Sequence, residues 1–489
     1  MLRTIRLIRE PGMRVLLIQP GKREKPLANP FGYLEPLGLE AVAGAINEIC
    51  DVGFIDMRFS TPSELENIIA SEGVDACGIT SSFTMDYNQT VSAAKIIKEA
   101  DRRTFVFVGG HHPSMCSTDF KLPFIDAVVI GEGENTVREL ISVLKEGGDP
   151  RKVAGLALNI KNEQLMTGTR PLIHDLDLLP RPDLRISDRF RKRYRLFTER
   201  SVTLLETVRG CQFKCNFCGV WKFYGGKVRM KSAERVVDEV RNAAAGNVFF
   251  VDDNFFTSAK RAQKIADLIK REGIEKRYLI QARTDTISSN PELLDKWADV
   301  GLRSAFLGFE KTTQEELDSA EKHNSVENNE KALGMLKVHG IEPVVSFIVD
   351  PEYGVNEFRQ LRGYIKKLSL VLPYFTVLTP LPGTTLHEEL GKNVICHRYD
   401  LFDLLHLVMP SRLPADEFGR QFAKLYKTGY PAVEVIAGAL RIFVDVLRGR
   451  LSLQDWMDIV SDWRIVTDPS TCIEGLVADD TLLNIVTVS

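Results

Sequence analysis

Hydrophobic and polar positions along the chain form two successive series of strand-like and helix-like segments. In the first series, residues 13–148, short apolar runs alternate with amphipathic stretches of helical length. The apolar runs predict strands at 14–18, 52–56, 76–79, 105–108 and 127–130, and the stretches between them predict helices at 37–48, 64–71, 87–100 and 135–145. Strands that alternate with helices form parallel β-α-β units. This α/β pattern therefore predicts a doubly wound sheet of flavodoxin-like order, with ligands at the carboxyl ends of its strands.

The second series occupies residues 201–391 and has six β-α units. Its predicted strands are 202–206, 248–252, 278–282, 304–309, 344–349 and 374–378, and its predicted helices are 233–245, 260–271, 291–300, 325–339 and 357–370. Six units predict a barrel-like parallel sheet that is incomplete beside an eight-unit barrel. Its active site is expected at the carboxyl ends of the strands.

The remaining segments are an extension, a linker and a tail. Residues 1–12 form an N-terminal extension, whose three arginines permit a short basic amphipathic anchor; the alternative is that the protein starts at Met13. Prolines punctuate residues 149–200, which we interpret as a linker with strand content at 153–160. Residues 392–489 are expected to be mostly helical, with amphipathic stretches at 414–427 and 432–447 and a further helix-like stretch at 453–463.

Composition restricts the class of partner. A net charge of −3 over 489 residues argues against nucleic acid as a ligand. The chain has no apolar run near the ~20 residues of a membrane span and no signal-peptide pattern. We therefore expect a cytoplasmic protein, with peripheral contact to the inner membrane left open.

Three of the eight cysteines cluster in one short segment after the first strand of the second series. Cys211, Cys215 and Cys218 have the spacing C-x3-C-x2-C, and the other five are scattered. Three thiolates on one loop can hold three irons of a [4Fe–4S] cluster and leave the fourth iron open. A closed zinc site is the alternative, but it normally needs four protein ligands, and no second pair of ligands follows.

The cysteine loop, with Thr207-Val208-Arg209-Gly210 before it and the aromatic Phe217 before the last cysteine, resembles that of radical S-adenosylmethionine enzymes. The resemblance covers about residues 202–390. It implies that the cysteines ligate the cluster and that S-adenosylmethionine chelates the open iron. Other strand ends would contact this cofactor: Asp252 and Asp253 after the second strand, Arg283 facing a carboxylate after the third, and Glu310 near the ribose after the fourth. The alternative for each is a solvated loop group or a helix N-cap.

Two glycine-rich loops of the first series resemble the cobalamin-binding domain of the class B methylases. Gly109-Gly110-His111-His112 follows the fourth strand, and Gly131-Glu132-Gly133-Glu134 follows the fifth. The resemblance implies that Gly109, Gly110, His111, Gly131, Glu132 and Gly133 contact cobalamin. The D-x-H-x-x-G motif is absent after the first strand, so a histidine ligand to cobalt from that motif is not expected.

The combined resemblance is to cobalamin-dependent radical S-adenosylmethionine methylases, with methylcobalamin as methyl donor. The segments 399–406 and 409–414 are similar to hopanoid C-3 methylases and less closely to bacteriochlorophyll side-chain methylases. The implied reaction methylates an unactivated carbon of a large apolar ring substrate and needs an electron donor such as flavodoxin or ferredoxin. Two alternatives stay open: a tetrapyrrole-acting enzyme, such as an anaerobic ring cyclase, and a metal-stabilised binding module without catalysis.

Overall fold

The computed structural model describes residues 12–21, 32–196 and 199–430, with a few positions between 436 and 457. The predictions for residues 1–11, for most of 432–447 and for nearly all of 453–463 lie outside this part of the chain. The chain divides into two compact units. Of the described residues, the first unit comprises 12–21, Pro36–Ile173 and Leu178–Phe190, and the second comprises 32–35, His174–Asp177, 191–196 and 199–430.

A mixed sheet forms the centre of the first unit. Its strands are β1 (Arg14–Gln19), β2 (Asp51–Asp56), β3 (Ala76–Thr80), β4 (Phe105–Gly109), β5 (Ala127–Val129), β6 (Leu156–Ile160) and β7 (Glu163–Met166). The strand order is β2-β1-β3-β4-β5-β6-β7, and the first five strands in that order are parallel. This arrangement confirms the predicted flavodoxin-like order. β6 and β7 add to the sheet in antiparallel fashion, so part of the predicted linker belongs to this unit.

Helices cover both faces of this sheet. They are α1 (Leu37–Ile46), α2 (Pro62–Glu72), α3 (Tyr87–Ala100), α4 (His111–Met115) and α5 (Gly133–Lys145). Leu16 and Ile18 of β1 pack in one core with α2 and α3, whereas Val15 and Leu17 pack in a second core with α1 and α5. Alternate residues of a strand point to opposite faces, so β1 is buried on both sides, as a doubly wound sheet requires.

The second unit is built on a parallel sheet. Its strands are β8 (Arg195–Leu196), β9 (Glu199–Arg200), β10 (Val202–Leu205), β11 (Val208–Arg209), β12 (Arg229–Met230), β13 (Asn247–Phe250), β14 (Arg277–Ala282), β15 (Leu302–Glu310), β16 (Glu342–Val349) and β17 (Tyr374–Val377). The six-stranded order β10-β13-β14-β15-β16-β17 is parallel throughout. This sheet confirms the predicted partial barrel, and two short antiparallel pairs, β8-β9 and β11-β12, accompany it.

The helices of the second unit connect these strands and continue beyond the last one. They are α6 (Val220–Phe223), α7 (Ala233–Asn242), α8 (Ala259–Arg271), α9 (Thr284–Ser288), α10 (Pro291–Val300), α11 (Gln314–Ser319), α12 (Val326–Val338), α13 (Val355–Lys367), α14 (Thr385–Leu390) and α15 (Ala415–Gly429). α15 lies where the helix at 414–427 was predicted.

Aromatic packing fixes the strands that lead to the predicted site. The fully buried Trp297 of α10 meets the rings of Phe250, Phe255 and Tyr278 at centroid distances of 4.9–6.0 Å, in edge-to-face geometry. Phe250 ends β13, two residues before Asp252, which is predicted to contact the cofactor. Among the described residues, no helix combines the length and apolar character needed to span a membrane.

Candidate cluster and cofactor site

The three clustered cysteines lie on the loop between β11 and α6. Gly210 begins this loop with φ +91°, and a Cβ there would lie 2.2 Å from the Lys227 carbonyl oxygen. Glycine is therefore required both by the backbone conformation and by the close approach. Inside the loop, the Cys218 N–H donates to the Cys215 carbonyl at 3.1 Å, which closes a tight turn between the second and third cysteines.

Asp252 anchors the chain just before the cysteine loop. Its Oδ1 accepts hydrogen bonds from the N–H groups of Thr207 and Val208 at 2.5 and 2.8 Å, and its Oδ2 accepts one from the Thr207 hydroxyl at 2.5 Å. Burial raises the pKa of Asp252 to about 6, while the bonds from Thr207 and Val208 oppose that rise. These contacts assign the residue a positioning role, and its contact with a cofactor stays a prediction.

Asp253, the next residue, lies beside two of the cysteines. Burial raises the pKa of the Cys211 and Cys218 thiols, that of Cys218 to about 12, and the Asp253 carboxylate adds to both rises. The pKa of Asp253 itself rises to about 7, mainly through desolvation and further through Asp252 and Glu206. The residue is nevertheless exposed to solvent.

Arg283 joins three parts of the barrel edge. The central carbon of its guanidinium lies 3.4 Å from the centroid of the Phe213 ring in the cysteine loop. Nη2 donates to the carbonyl oxygens of Lys322 and His323 at 2.8 and 3.0 Å. The carboxylate that Arg283 faces is that of Asp285, 3.0 Å from Nη2. The guanidinium therefore positions the cysteine loop, and its contact with a cofactor carboxylate stays a prediction.

Glu310 ends β15 at a break in strand register. Its φ is +63°, a left-handed conformation that is rare for a residue other than glycine, asparagine or aspartate. Its Oε1 lies 2.7 Å from the Lys322 ammonium, and both side chains are buried. A Cβ on Gly308 would lie 2.0 Å from that same Oε1, so glycine is needed there to seat the carboxylate.

The donor set on the loop fits an iron–sulfur cluster better than a single metal ion. Three ligands of one tetrahedral zinc lie within about 4 Å of one another, because zinc–sulfur bonds are about 2.3 Å long. Among the described residues, His112, Cys116 and Asp119 have ligand atoms that all lie within 4.8 Å of one another, and the three loop thiols do not form such a group. Three thiolates bound to three different irons are spaced more widely.

Phe217 lies partly buried beside Cys218 on this loop.

In the first unit, Gly109 and Gly110 bring the backbone after β4 close to the loop after β3. Gly110 has φ +123°, and a Cβ there would lie 2.7 Å from the Ser81 carbonyl oxygen. The Ser81 N–H donates to the Gly109 carbonyl at 2.8 Å. His111 follows as the first residue of α4 and is partly exposed at this carboxyl edge of the sheet.

The loop after β5 lies against the same edge. The N–H of Gly131 donates to the Ser114 hydroxyl at 2.9 Å, and that hydroxyl donates to the Gly110 carbonyl at 2.7 Å, which joins the two glycine-rich loops. Gly131 has φ +78° and an open space where a Cβ would be. Glu132 precedes α5, whose first residue is Gly133, and its carboxylate accepts from a backbone N–H at 2.7 Å. The structure thus gathers the predicted cobalamin residues along one edge.

His112 differs from His111 in being almost fully buried. Its Nδ1 lies 3.3 Å from the Thr84 hydroxyl, and its Nε2 lies 3.3 Å from the Asp119 carboxylate. The ring also packs edge-on against Tyr87 and Phe120. His112 therefore belongs to the interior of the unit, where it ties α4 to its neighbours.

Three side chains that contact predicted site residues were not themselves candidates from the sequence: Lys322, Thr207 and Asn254, the last of which directly follows Asp252 and Asp253. Asn254 is buried, and its Oδ1 accepts from the Arg283 N–H at 3.2 Å. Thr207 was noted only as part of a motif, and Lys322 lies in a polar loop whose pattern is typical of solvated residues. No local signal identifies these side chains, because their partners are distant in sequence.

Comparison with known proteins finds two family models that match this chain. Residues 25–141 match the B12 binding domain model, and residues 205–360 match the Radical SAM superfamily model. The solved structure of the radical S-adenosylmethionine methyltransferase TsrM from Kitasatospora setae, with cobalamin and a [4Fe–4S] cluster bound, is similar in fold. The TM-score is 0.67 at 16% identity, and the match covers 95% of this chain and 100% of that chain.

Two curated relatives match over most of the chain. The hopanoid C-3 methylase of Methylococcus capsulatus is 30% identical over 86% of this chain and 80% of its own length. The anaerobic magnesium-protoporphyrin IX monomethyl ester cyclase of Rubrivivax gelatinosus is 26% identical over 81% of this chain and 73% of its own length. The chain belongs to the cobalamin-dependent radical S-adenosylmethionine methyltransferase family, whose cofactors are a [4Fe–4S] cluster, S-adenosylmethionine and cobalamin.

Proposed function

We propose that this enzyme methylates an unactivated carbon of a large apolar ring lipid of the hopanoid class. The observation that carries this proposal is the 30% identity with the hopanoid C-3 methylase, over 86% of this chain and 80% of that protein. The similarity extends well beyond the two regions that match the cofactor-binding family models. It therefore includes segments that are free to determine the substrate.

An apolar cluster next to the last barrel strand supports an apolar substrate. Leu381 lies on the loop after β17, at the carboxyl end of the sheet, and packs against this cluster. Its buried members are Val394, Cys396, Phe402, Val408 and Met409. Active sites of parallel barrels lie at this end of the strands, so the cluster gives an apolar interior to a segment that lies beside the expected substrate region.

In this proposal the loop cysteines Cys211, Cys215 and Cys218 are the cluster ligands. When bound, the cluster and S-adenosylmethionine supply a 5′-deoxyadenosyl radical, and cobalamin supplies the methyl group. Asp252 fixes the start of the loop, and Arg283 holds its middle through the contact with Phe213. These two contacts hold the loop at its start and at its middle.

We assign the other predicted cofactor contacts by the position of each residue at the carboxyl edge of its sheet. Phe217, Asp253 and Glu310 are assigned to the S-adenosylmethionine side. Cobalamin is assigned to the edge formed by Gly109, Gly110, His111, Gly131, Glu132 and Gly133. Glycines that join loops there allow close backbone approach to a large ligand. The electron donor is proposed to be a flavodoxin or ferredoxin, and peripheral membrane contact fits a lipid substrate.

Anaerobic turnover tests the proposed function. The reconstituted enzyme is incubated with S-adenosylmethionine, methylcobalamin, a low-potential reductant and a hopanoid, and lipids and nucleosides are analysed by mass spectrometry. We expect a lipid heavier by one CH₂ for each methylation, together with 5′-deoxyadenosine and S-adenosylhomocysteine. The Cys215→Ala variant should lose its iron and sulfide, and it should neither methylate the lipid nor form 5′-deoxyadenosine.

Cys50→Ala is the matched control, because Cys50 is a buried cysteine outside the loop and outside the apolar cluster. It should keep its iron and sulfide content. If Cys215→Ala holds a full cluster and forms 5′-deoxyadenosine, the assignment of the loop is wrong. If the wild-type enzyme cleaves S-adenosylmethionine but leaves the hopanoid unchanged, the substrate proposal is wrong.

The second candidate is a tetrapyrrole-acting enzyme, favoured by the 26% identity with the anaerobic cyclase over 81% of this chain. The same incubation with magnesium-protoporphyrin IX monomethyl ester or a bacteriochlorophyllide separates the candidates. A cyclised porphyrin, or a methylated bacteriochlorophyllide, would support this alternative.

A further inference from the structure

Lys322 is turned into the protein by an unusual stretch of backbone. The residues on either side of it, Glu321 and His323, both have left-handed conformations, with φ of +50° and +48°. Both are exposed, whereas the Lys322 side chain is only 9% exposed. A surface loop with this alternation directs its central side chain inward, and such backbone conformations persist only where surrounding contacts hold them.

The inward side chain is paired with Glu310. The ammonium lies 2.7 Å from Glu310 Oε1, and the carboxylate is 10% exposed. Glu310 is itself held with φ +63°, and the lack of a side chain on Gly308 leaves room for its carboxylate. A buried ion pair of this kind contributes little net stability, so its strained geometry is suited to a function other than stability.

Three further hydrogen bonds bind the Lys322 segment to the cysteine loop, two from Asn216 and one from Arg283. The Asn216 N–H donates to the Ala320 carbonyl at 3.3 Å, and the Asn216 side-chain amide donates to the Ser319 carbonyl at 3.1 Å. Arg283 donates to the Lys322 carbonyl at 2.8 Å while its guanidinium stacks on the loop. The segment that carries Lys322 therefore contacts the cysteine loop directly, at Asn216, the residue that follows Cys215.

We propose that Lys322 is a positioning residue that holds Glu310 in place and provides a fixed positive charge that favours the reduced state of the cluster. The inference rests on the assignment of Cys211, Cys215 and Cys218 as cluster ligands. One-electron reduction by a low-potential donor adds one negative charge to the cluster, and a buried cation nearby stabilises that charge. Net charge and nearby hydrogen bonds are established determinants of cluster potential.

The test is a potentiometric titration of the reconstituted protein, followed by electron paramagnetic resonance of the reduced cluster. Lys322→Met should lower the reduction potential by at least about 59 mV, a tenfold change in the one-electron equilibrium. The reduction potential of Lys322→Arg should lie close to the wild-type value, because arginine keeps the positive charge. Lys331→Met, which removes an exposed lysine on α12, is the matched control and should keep the wild-type potential.

A second variant gives a shift of the opposite sign. Glu310→Gln removes the negative partner and leaves the ammonium uncompensated, so the potential should rise. Equilibrium binding of S-adenosylmethionine should weaken at least tenfold in Lys322→Met, since Glu310 loses its fixed position. Lys322→Arg should recover part of this affinity.

The outcomes separate this inference from the site assignment. If the wild-type protein holds no cluster, the assignment of the three cysteines fails. If Lys322→Met holds a full cluster at the wild-type potential, the proposed role of Lys322 is overturned and the site assignment stands. If Lys322→Met does not fold, Glu310→Gln decides the question, and an unchanged or lower potential in that variant also overturns the inference.

Discussion

Removal of the Asp252 carboxylate should release the segment that leads into the cysteine loop. Asp252 accepts hydrogen bonds from two backbone N–H groups and one hydroxyl, and the side chain is 1% exposed. Asp252→Ala leaves the N–H groups of Thr207 and Val208 buried without an acceptor. Each unsatisfied buried group costs about 1–3 kcal/mol, so the local structure should lose about 4 kcal/mol.

Hydrogen exchange measures this loss directly. A loss of about 4 kcal/mol corresponds to about a thousandfold decrease in protection, since each 1.36 kcal/mol is tenfold. Mass spectrometry of a peptide covering residues 203–210 in the apoprotein should show that decrease in Asp252→Ala. Peptides from β1 to β5 in the first unit should be unaffected.

Asp252→Asn separates the hydrogen bonds from the charge. The amide oxygen still accepts from both N–H groups, and the amide nitrogen donates to the Thr207 hydroxyl, so the loss of protection should be small. In the wild type, burial raises the pKa of Asp252 from 3.8 to about 6. A folded-state pKa above the unfolded value gives stability that is fully present below about pH 4 and is lost as pH rises through about 6.

The stability that Asp252 contributes to the folded state therefore falls by about 3 kcal/mol between pH 4 and pH 8. The protection of Asp252→Asn relative to the wild type should therefore increase as pH rises through that range. Protection of residues 207 and 208 in Asp252→Ala within tenfold of the wild type would refute the anchoring role. A pH-independent ratio for Asp252→Asn would refute the charge argument alone.

Three further substitutions test the geometry of the two cofactor edges. Gly210→Ala should reduce iron loading at least tenfold, because its Cβ would lie 2.2 Å from the Lys227 carbonyl at φ +91°; normal iron and sulfide content would contradict this. Gly110→Ala should weaken cobalamin binding about tenfold or more, since its Cβ would lie 2.7 Å from the Ser81 carbonyl oxygen. Unchanged binding in an absorbance titration would show that cobalamin does not need the close approach of Gly110 to Ser81. Arg283→Lys keeps the charge but loses the planar contacts, so cluster half-life in air should shorten severalfold, and an equal half-life would show that the guanidinium shape is unimportant.

The two β/α series could be predicted from the sequence because their signals are local. α3 and α10 begin and end where the pattern of apolar residues indicated, and the strand positions agree within one or two residues. Buried parallel strands need continuous apolar runs, and amphipathic helices need a period of 3.6 residues, so both leave a mark on consecutive residues. The strand order of β1 to β5 followed from general rules for such units.

The contacts inside the site were not predictable in the same way. Asp252 was expected at the cofactor, and in the structure its oxygens hold Thr207 and Val208, which lie 45 and 44 residues earlier in the chain. Arg283 was expected to face a ligand carboxylate, and in the structure it faces Asp285 and holds a loop 39 residues away. The residue types and their position at strand ends could be read from the sequence. The hydrogen-bond partner of each side chain could not.

The sequence by itself determined that three thiols share one short loop after a first barrel strand, because spacing within eight residues is fixed by covalent geometry. It also determined the α/β architecture, through periodicity. Only the tertiary structure decided that Lys322 is buried against Glu310 and that Asp252 anchors the loop. Such roles depend on which strand ends meet at one edge of the sheet, and chain folding alone brings those distant side chains within hydrogen-bonding distance.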